Sequence, residues 1–486
     1  MSCKKRRFAG QLRAPAQHLA EGCGNQTPPG WPENATRPGT PAFSITPSSY
    51  FVMKNLLLSP AIAPLAVGIL LATACQKDAT EVPAAGPVSP AAVLAWNQAG
   101  TVAVTRLTNP ATGFFVLPHI EARVYAIENL AMYDALNNIQ QKNAPYALRG
   151  PLVPTAAPDA AVAAAAHDAL VALMPAEKTY ADSLYQATLA KIGDGDAKTQ
   201  GVALGQAAAK AILAQRTGDG ADAAQTPFPI GTNPGDYQYT PPFDGPPFNG
   251  FYALAGWKDV KPFALTAANQ FRPVPPPALA SAAYAADFNE VKALGGATSA
   301  TRTPEQAASA LFWLDNSPLT WNRVARTALA ARPTDAYATV RLLALVQMAE
   351  ADAYVAMCDA KYTYRRWRPI TAIHLAGTDT NPDTAPDAAW RPFAFPNPPD
   401  AEYPSGHSMA GGAAAAVLQS YFGTDARPFS LTNNAGKTRS YTGFGQAATE
   451  NSLSRVYAGY HFRSSTVQGQ AMGTQIGAYV AANALK

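Results

Sequence analysis

The sequence contains little cysteine. Of its 486 residues only four are Cys, and two of these, Cys3 and Cys23, precede Met53. Cys75 directly follows an apolar run, so Cys358 is the single thiol in the body of the chain. One thiol excludes an intramolecular disulfide there, and we expect Cys358 to be a small buried apolar residue.

Charge is scarce as well. Charged residues make up 14% of the chain, the formal net charge is +4, and no stripe of Lys and Arg runs along any segment. The sequence therefore gives no indication of a nucleic-acid partner. With 48% hydrophobic residues, the composition is typical of a globular protein with a large core.

Alternation of apolar and polar residues, which predicts β-strands, is not strong in any segment. Alanine-rich runs such as residues 160–166 favour helices instead. Apolar periodicity predicts a series of helices. The predicted helices cover residues 91–105, 119–138, 160–173, 177–192, 197–214, 276–293, 304–314 and 336–360.

Residues 216–275, which we call the excursion, interrupt this series of helices. They are rich in Pro, Gly, Asp and aromatic residues, and they are too many for an ordinary connection. We predict that the excursion packs on the helical body as a structural wrap. The second possibility is that it shapes the entrance of a site.

The start of the chain differs from the rest. Residues 1–52 combine a basic cluster with scattered Pro, Gly and Ser. We expect them to be a non-native upstream extension, with translation starting at Met53. A disordered extension before a transmembrane anchor is the alternative.

Residues 53–74 have a short basic start, an apolar core and small residues before Cys75, which is typical of a secretory signal peptide. The stretch resembles a bacterial lipoprotein signal, although Ala72 stands where Leu is usual. We therefore expect an exported protein of the bacterial cell envelope, periplasmic or at the surface, with a membrane lipid anchor at Cys75. A tether over residues 75–90 would lead to a helical domain over residues 91–486.

Three short motifs follow one another within residues 361–486. They are Lys361-Tyr-Thr-Tyr-Arg-Arg-Trp-Arg368-Pro369, Pro404-Ser405-Gly406-His407 and Ser454-Arg455-Val-Tyr-Ala-Gly-Tyr-His461. They can supply one Lys, two Arg, two His, a Ser hydroxyl and a Gly backbone N–H. This set of groups suits a tetrahedral oxyanion such as phosphate or vanadate.

The first motif carries two cations at helical spacing. Lys361 and Arg368 are seven residues apart, so on one continuous helix both point to the same side. Pro369 would then stop or kink that helix. A solvated basic stripe is the alternative, but aromatic neighbours such as Trp367 indicate a partly buried setting.

The second motif precedes a strong helix, which Ser405 is expected to cap. The free N–H groups and the dipole at a helix N-terminus attract anions. Ser405 Oγ and the Gly406 N–H can therefore donate to one oxyanion, with His407 beside them as acid or base. A simple capping turn is the alternative.

The third motif places Arg455 and His461 six residues apart, on different sides of a straight helix. If both face one anion, the helix must break between them, and we expect the break at Gly459. Beyond it glycine recurs every four residues, which predicts close packing against the helix after the second motif. These glycines are Gly469, Gly473 and Gly477.

The pattern K-x6-R-P, P-S-G-H and S-R-x5-H resembles the type 2 phosphatidic acid phosphatase and vanadium haloperoxidase superfamily. The sequence from Lys361 through His407 is similar to its bacterial vanadium-dependent haloperoxidase branch. Weaker similarity around Trp96 and over residues 119–137 extends the resemblance to most of the chain. It implies an all-α fold of helical bundles, with the site in a bundle core.

The resemblance also implies roles for the polar residues of the motifs. Lys361, Arg368 and Arg455 would neutralise the equatorial oxygens of a bound vanadate. Ser405 and Gly406 would donate hydrogen bonds to the same anion.

The two histidines would have different roles in this resemblance. His407 would be the acid or base next to the apical oxygen, and His461 would ligate vanadium, or attack phosphorus in a phosphatase. Vanadate would be the cofactor, and hydrogen peroxide and a halide would be the substrates. Vanadium would act as a Lewis acid without changing its oxidation state.

Three further positions bear on this resemblance. Ser465 lies four residues after His461, where the superfamily often has Asp, so the basicity of His461 is in question. Asp400 lies where haloperoxidases tend to carry an aromatic residue or His, and its carboxylate would repel halide if it pointed inward. Asp315 matches a family acid that would pair with the cations of the second or third motif, or it is a helix-end Asp.

Three functions follow from these residues. We expect a vanadate-dependent haloperoxidase, an enzyme that oxidises halide with hydrogen peroxide. The first alternative is a metal-independent, acid-phosphatase-like hydrolase of phosphomonoesters that acts through a phosphohistidine and needs no cofactor. The second alternative is a noncatalytic surface lipoprotein that binds oxyanions.

Overall fold

The structure, a computed structural model, describes residues 88–108, 116–222, 227–332 and 334–486. The predicted upstream extension, the signal peptide, Cys75 and most of the tether lie outside these ranges. Within them, no helix has the length and apolar character needed to cross a bilayer.

The part of the chain that the structure describes is built from thirteen α-helices, which confirms the predicted all-α fold. They are α1 (Ala91–Leu107), α2 (Pro118–Asn137), α3 (Pro158–Leu173), α4 (Lys178–Leu189), α5 (Asp196–Arg216), α6 (Ala282–Leu294), α7 (Pro304–Phe312), α8 (Ser317–Ala330), α9 (Ala336–Tyr364), α10 (Pro369–His374), α11 (Gly406–Phe422), α12 (Phe444–Tyr457) and α13 (Arg463–Asn483).

Three features were not predicted from periodicity. They are helix α8, the short helix α10 and an antiparallel hairpin of β1 (Phe429–Thr432) and β2 (Thr438–Tyr441). Strand β1 does alternate between buried and exposed side chains, but four residues are too few for a periodicity to stand out. Helix α6 begins at Ala282, later than predicted, where Ser281 caps it by accepting the Tyr284 N–H at 3.2 Å.

Helix α9 is the central element of the fold. It is 29 residues long and is buried along most of its length, which explains why apolar residues occur on all of its faces. It packs against α2, which also packs with α3 and α5. It packs as well against α11 and α13, which pack with each other and with α12.

The glycines of α13 lie against the backbone of α11, as their spacing predicted. A Cβ atom built on Gly473 would be 1.9 Å from the carbonyl oxygen of Met409, and one on Gly477 would be 2.2 Å from that of Ala413. These distances leave no room for a side chain. The two helices can therefore approach as closely as they do only because these positions are glycine.

We expect Gly473→Val to destabilise the protein by at least about 3 kcal/mol, because overpacking a close helix contact forces the backbones apart. Urea unfolding measures this loss. Gly150→Val is the control, since a Cβ at Gly150 meets no atom within 4 Å. Equal stability of the two variants would contradict the close contact.

The described residues of the excursion form no α-helix, and residues 257–259 make a single 3-10 turn. The excursion is tied to α9 by the Asp352 carboxylate, which accepts the N–H groups of Phe263, Ala264 and Leu265 at 2.5, 2.7 and 2.8 Å. It also reaches the first motif, where the Tyr237 N–H donates to the Arg365 carbonyl at 2.6 Å. The wrap thus lies directly against the motif region.

Candidate active site

The three motifs meet where five helices begin or end. Lys361 lies in the last turn of α9, and Arg368 directly precedes α10. Gly406 begins α11, Arg455 lies in the last turn of α12, and His461 stands two residues before α13. Helix ends bring these groups together because each chain reversal turns the next helix back toward the same end of the bundle.

Lys361 and Arg368 do not share a helix, contrary to the prediction. Helix α9 ends at Tyr364, and Arg365 follows in a left-handed conformation with φ of 46°. Arg368 is extended, with φ of −75° and ψ of 157°, because a residue before proline avoids the helical region. The two side chains nevertheless converge on one carboxylate, that of Asp400.

Asp400 points into the site. Its Oδ2 lies 2.8 Å from Lys361 Nζ, and its Oδ1 lies 2.5 Å from Arg368 Nη2. Burial acts to raise the pKa of Asp400, but the charges and hydrogen bonds of Lys361 and Arg368 hold it below its usual value. Asp400 is therefore ionised and compensates part of the positive charge of the two cations.

Ser405 stands at the N-cap position of α11 but does not cap it, so that prediction was wrong. Its Oγ accepts a hydrogen bond from Ser408 Oγ at 2.9 Å, which leaves the Ser405 hydroxyl proton for another acceptor. A Cβ on Gly406 would lie 2.7 Å from Met357 Sδ. Glycine at this position therefore makes room for the Met357 side chain of α9.

His407 is a neutral imidazole. Its Nε2 lies 3.3 Å from the carbonyl oxygen of Asp315, and a carbonyl can only accept, so Nε2 carries the proton and Nδ1 the lone pair. Burial, together with the charge of Arg455, lowers the pKa of His407 to about 3. The ring is therefore neutral at physiological pH, with its free lone pair on Nδ1.

The side chain of Asp315 does not pair with a motif cation, contrary to the expectation from the family pattern. Its Oδ2 lies 3.1 Å from Arg323 Nη1 and accepts the Asn434 N–H at 2.8 Å. These partners belong to α8 and to the turn between β1 and β2. Asp315 contributes to the site only through its carbonyl, which contacts His407.

The chain breaks between α12 and α13 at the predicted glycine. Gly459 has φ of 82°, a left-handed conformation that glycine adopts without strain. After this turn His461 Nε2 lies 3.0 Å from Arg368 Nη1. A guanidinium N–H can only donate, so Nε2 is the acceptor and the imidazole proton of His461 is on Nδ1.

His461 is held neutral by its surroundings. Burial is the largest cause that lowers the pKa of His461 well below its usual value. The charges of Arg368, Lys361 and Arg455 lower it further. Three cations are therefore close enough to one imidazole to act on it together.

Glu402 is a site residue that the sequence analysis did not identify. Its Oε1 accepts hydrogen bonds from His461 Nδ1 at 2.9 Å and from the Phe462 N–H at 3.0 Å. Burial raises the pKa of Glu402 to about 7, although Arg368 acts to lower it. Glu402 thus supplies the carboxylate that orients the imidazole, a role that its position directly before Tyr-Pro-Ser-Gly-His could have suggested.

Ser465, which replaces the family Asp, has a smaller part in this arrangement. Its Oγ donates to the carbonyl oxygen of Glu402 at 3.2 Å and lies 3.4 Å from His461 Nδ1. Glu402, two residues before the second motif, supplies the carboxylate group that a Ser at position 465 lacks.

Arg455 has no carboxylate partner in the part of the chain that the structure describes. It is 1% exposed, and it donates to the Trp313 carbonyl at 2.7 Å and to Ser454 Oγ at 3.0 Å. Burial lowers the pKa of Arg455 to about 10. Burying a cation costs free energy when only carbonyl and hydroxyl groups bind it. A bound anion would offset this cost.

The excursion and α2 complete the surroundings of the site. The His119 ring packs edge-on against Trp257, with ring centres 4.3 Å apart. Burial lowers the pKa of His119 to about 3, and the charge of Asp400 opposes this shift. Cys358 is buried, and its thiol donates to the Leu254 carbonyl at 3.2 Å, as expected of a structural residue.

The site as a whole groups three buried cations, the ionised carboxylate of Asp400, the buried carboxyl group of Glu402 and two neutral imidazoles. Positive charge is in excess, and the cations and N–H donors are the groups that bind an oxyanion. Among the described residues, no three His, Cys, Asp or Glu side chains are arranged to hold a metal cation. The cations and donors of the site thus suit an oxyanion, with His461 beside them.

Comparisons with known proteins agree with this geometry. Residues 341–486 match the family described as the VCPO second helical-bundle domain. The vanadium chloroperoxidase of Curvularia inaequalis is 28% identical over 208 residues, which are 36% of this chain and 33% of that protein. The matched region thus spans about a third of the length of this curated relative.

Solved structures extend the likeness to most of the chain. The structure described as the first bacterial vanadium-dependent iodoperoxidase is 26% identical, with a TM-score of 0.67 over 82% of this chain and 97% of that one. A holo-type bacterial vanadium-dependent chloroperoxidase is 18% identical, with a TM-score of 0.62 over 77% of this chain and 94% of that one, and shows the fold alone. The resemblance predicted from the three motifs, and the fold it implies, are confirmed.

Proposed function

We propose that this chain, which resembles the bacterial vanadium-dependent haloperoxidases in fold and motifs, oxidises halide with hydrogen peroxide in a vanadate-dependent reaction. One observation carries the proposal: three buried cations, Lys361, Arg368 and Arg455, act together on the neutral imidazole of His461. The relatives are described as chloroperoxidase and iodoperoxidase, which supports the same reaction class here.

The donor set fits vanadate. The lone pair of His461 is on Nε2, because Nδ1–H donates to Glu402 at 2.9 Å, and such a partner fixes the tautomer of a metal-ligating histidine. Lys361, Arg368 and Arg455 would hold the anion's oxygens. When bound, vanadate supplies a Lewis acid that activates hydrogen peroxide for oxygen transfer to halide.

The chain's own residues would prepare this reaction. The Ser405 hydroxyl and the Gly406 N–H would donate to the oxyanion, and His407 would accept a proton from hydrogen peroxide at Nδ1. Lys361, at 0% exposed, would act in a setting from which water is largely excluded, where electrostatic interactions are stronger than in solution.

The test uses the full chain loaded with vanadate and assays oxidation of iodide, bromide and chloride by hydrogen peroxide. Hydrolysis of an aryl phosphate is measured in parallel without added metal. We expect halide oxidation that depends on vanadate and is lost when phosphate competes. Hydrolysis alone, inhibited by vanadate, would assign a phosphatase, and vanadate binding without either activity would assign a noncatalytic oxyanion-binding protein.

We also propose export and lipid anchoring at Cys75, supported by the signal-like sequence of residues 53–74. The expected result is a native protein that begins at Cys75 and carries a diacylglycerol. Intact-mass analysis tests this, and a species that retains residues 1–52 would overturn it.

A further inference from the structure

We propose that Asp400 is a specificity-determining residue that competes with the bound oxyanion for Lys361 and Arg368, and that disfavours a dianion more than a monoanion. This inference rests on the oxyanion site of the proposed function. It concerns which anion the site takes up, because Asp400 adds negative charge next to the place where that anion would lie.

Asp400 already binds two cations of the site. Each carboxylate oxygen binds a different cation, with Oδ2 at 2.8 Å from Lys361 Nζ and Oδ1 at 2.5 Å from Arg368 Nη2. The Asp400 carbonyl oxygen also accepts Arg368 Nε–H at 2.7 Å. Two of the three motif cations are therefore paired with a group of the chain itself.

An oxyanion on His461 would need the same cations. Arg368 Nη1 already donates to the carbonyl oxygen of Tyr460 at 2.9 Å and lies 3.0 Å from His461 Nε2. A ligand bonded to Nε2 would take that nitrogen from Arg368 and share the guanidinium with Asp400. Arg455 differs, because its hydrogen-bond acceptors are carbonyl and hydroxyl groups.

Burial makes this competition strong. Lys361 is 0% exposed and Arg368 is 1% exposed, so water screens little of the repulsion between Asp400 and a second anion. Coulomb repulsion doubles when the charge of that anion doubles. At neutral to slightly alkaline pH, vanadate is mainly a monoanion and phosphate is increasingly a dianion. Asp400 therefore favours vanadate over phosphate.

The experiment measures binding and not catalysis. Orthovanadate and inorganic phosphate are titrated by calorimetry at slightly alkaline pH into the full chain and into Asp400→Asn. We expect the substitution to tighten vanadate binding about tenfold, on the scale of one buried charge interaction, and phosphate binding by a larger factor. Asp400→Ser is the second variant if the amide disturbs folding.

Asp359→Asn is the matched control. Asp359 lies on α9 and, like Asp400, binds an arginine; its two carboxylate oxygens lie 2.7 and 2.8 Å from Arg272, which is outside the three motifs. We expect this variant to bind both anions as the unaltered chain does. A gain equal to that of Asp400→Asn would overturn the proposal, because it would reflect net charge alone.

Each outcome for Asp400 decides the proposal. Unchanged or weaker binding of both anions in Asp400→Asn would overturn it and would assign Asp400 to positioning the cations. Equal gains in affinity for vanadate and for phosphate would overturn the proposed selection between a monoanion and a dianion. Failure of the proposed function is distinct, since halide oxidation can be lacking while vanadate still binds. No oxyanion binding by any variant would overturn both.

Discussion

Replacing His461 with Ala is expected to abolish vanadate-dependent halide oxidation, with a loss of at least about a thousandfold in kcat/KM, as when a central catalytic group is removed. In the proposed function, the lone pair on His461 Nε2 would bond to the central atom of the anion. The cations that surround it would still attract vanadate, but they supply no lone pair.

Two measurements on His461→Ala separate this role from a structural one. Vanadate binding is expected to weaken, whereas the chain stays folded, because Glu402 keeps the Phe462 N–H and Arg368 keeps Asp400 and the Tyr460 carbonyl when the neutral imidazole is removed. His167→Ala is the control. His167 pairs with Asp168 and Asp182 on α3 and α4 and is not a motif residue. Full activity of His461→Ala would exclude a vanadium ligand at this position.

The second large effect is expected for Glu402→Ala, which should weaken vanadate binding by about 10- to 100-fold, the usual cost of losing a partner that orients a metal ligand. Without Glu402, His461 Nδ1–H loses the acceptor at 2.9 Å, and the Phe462 N–H loses it as well. The ring can then turn, so the lone pair is no longer held at the place of the anion.

Glu402→Gln tests whether position or charge matters. The amide oxygen still accepts from His461 Nδ1–H, so Glu402→Gln is expected to recover most of the affinity that Glu402→Ala loses. Calorimetry with vanadate measures both variants. Equal losses would show that the negative charge itself is needed, and wild-type affinity of Glu402→Ala would exclude the orienting role.

The sequence indicated which residues lie together better than it indicated how the backbone arranges them. The break at Gly459 followed from a physical necessity, since residues six apart on a helix cannot face one ligand. The helix through Lys361 and Arg368 did not form, because seven-residue spacing says nothing about where a helix ends. Arg365, in a left-handed conformation, ends α9, and the proline after Arg368 keeps Arg368 extended.

Tertiary contacts explain what spacing could not. Ser405 has the position of a cap, but its hydroxyl is engaged by Ser408, a contact within the same turn that no capping rule includes. Glu402 and Asp400 lie two residues apart, yet one orients His461 and the other binds Lys361. Only the fold shows which way each carboxylate points, because the segment before α11 has no regular periodicity.

Helix α9 has a consequence for how this protein could have evolved. The family match begins at residue 341, inside α9 (Ala336–Tyr364), and that helix packs against α2 as well as against α11 and α13. Residues 341–486 alone would expose to water the face of α9 that α2 covers. The segment that sequence comparison recognises is therefore not a unit that could be exchanged between proteins. Substitutions in α2 and in α9, α11 and α13 are expected to be selected together.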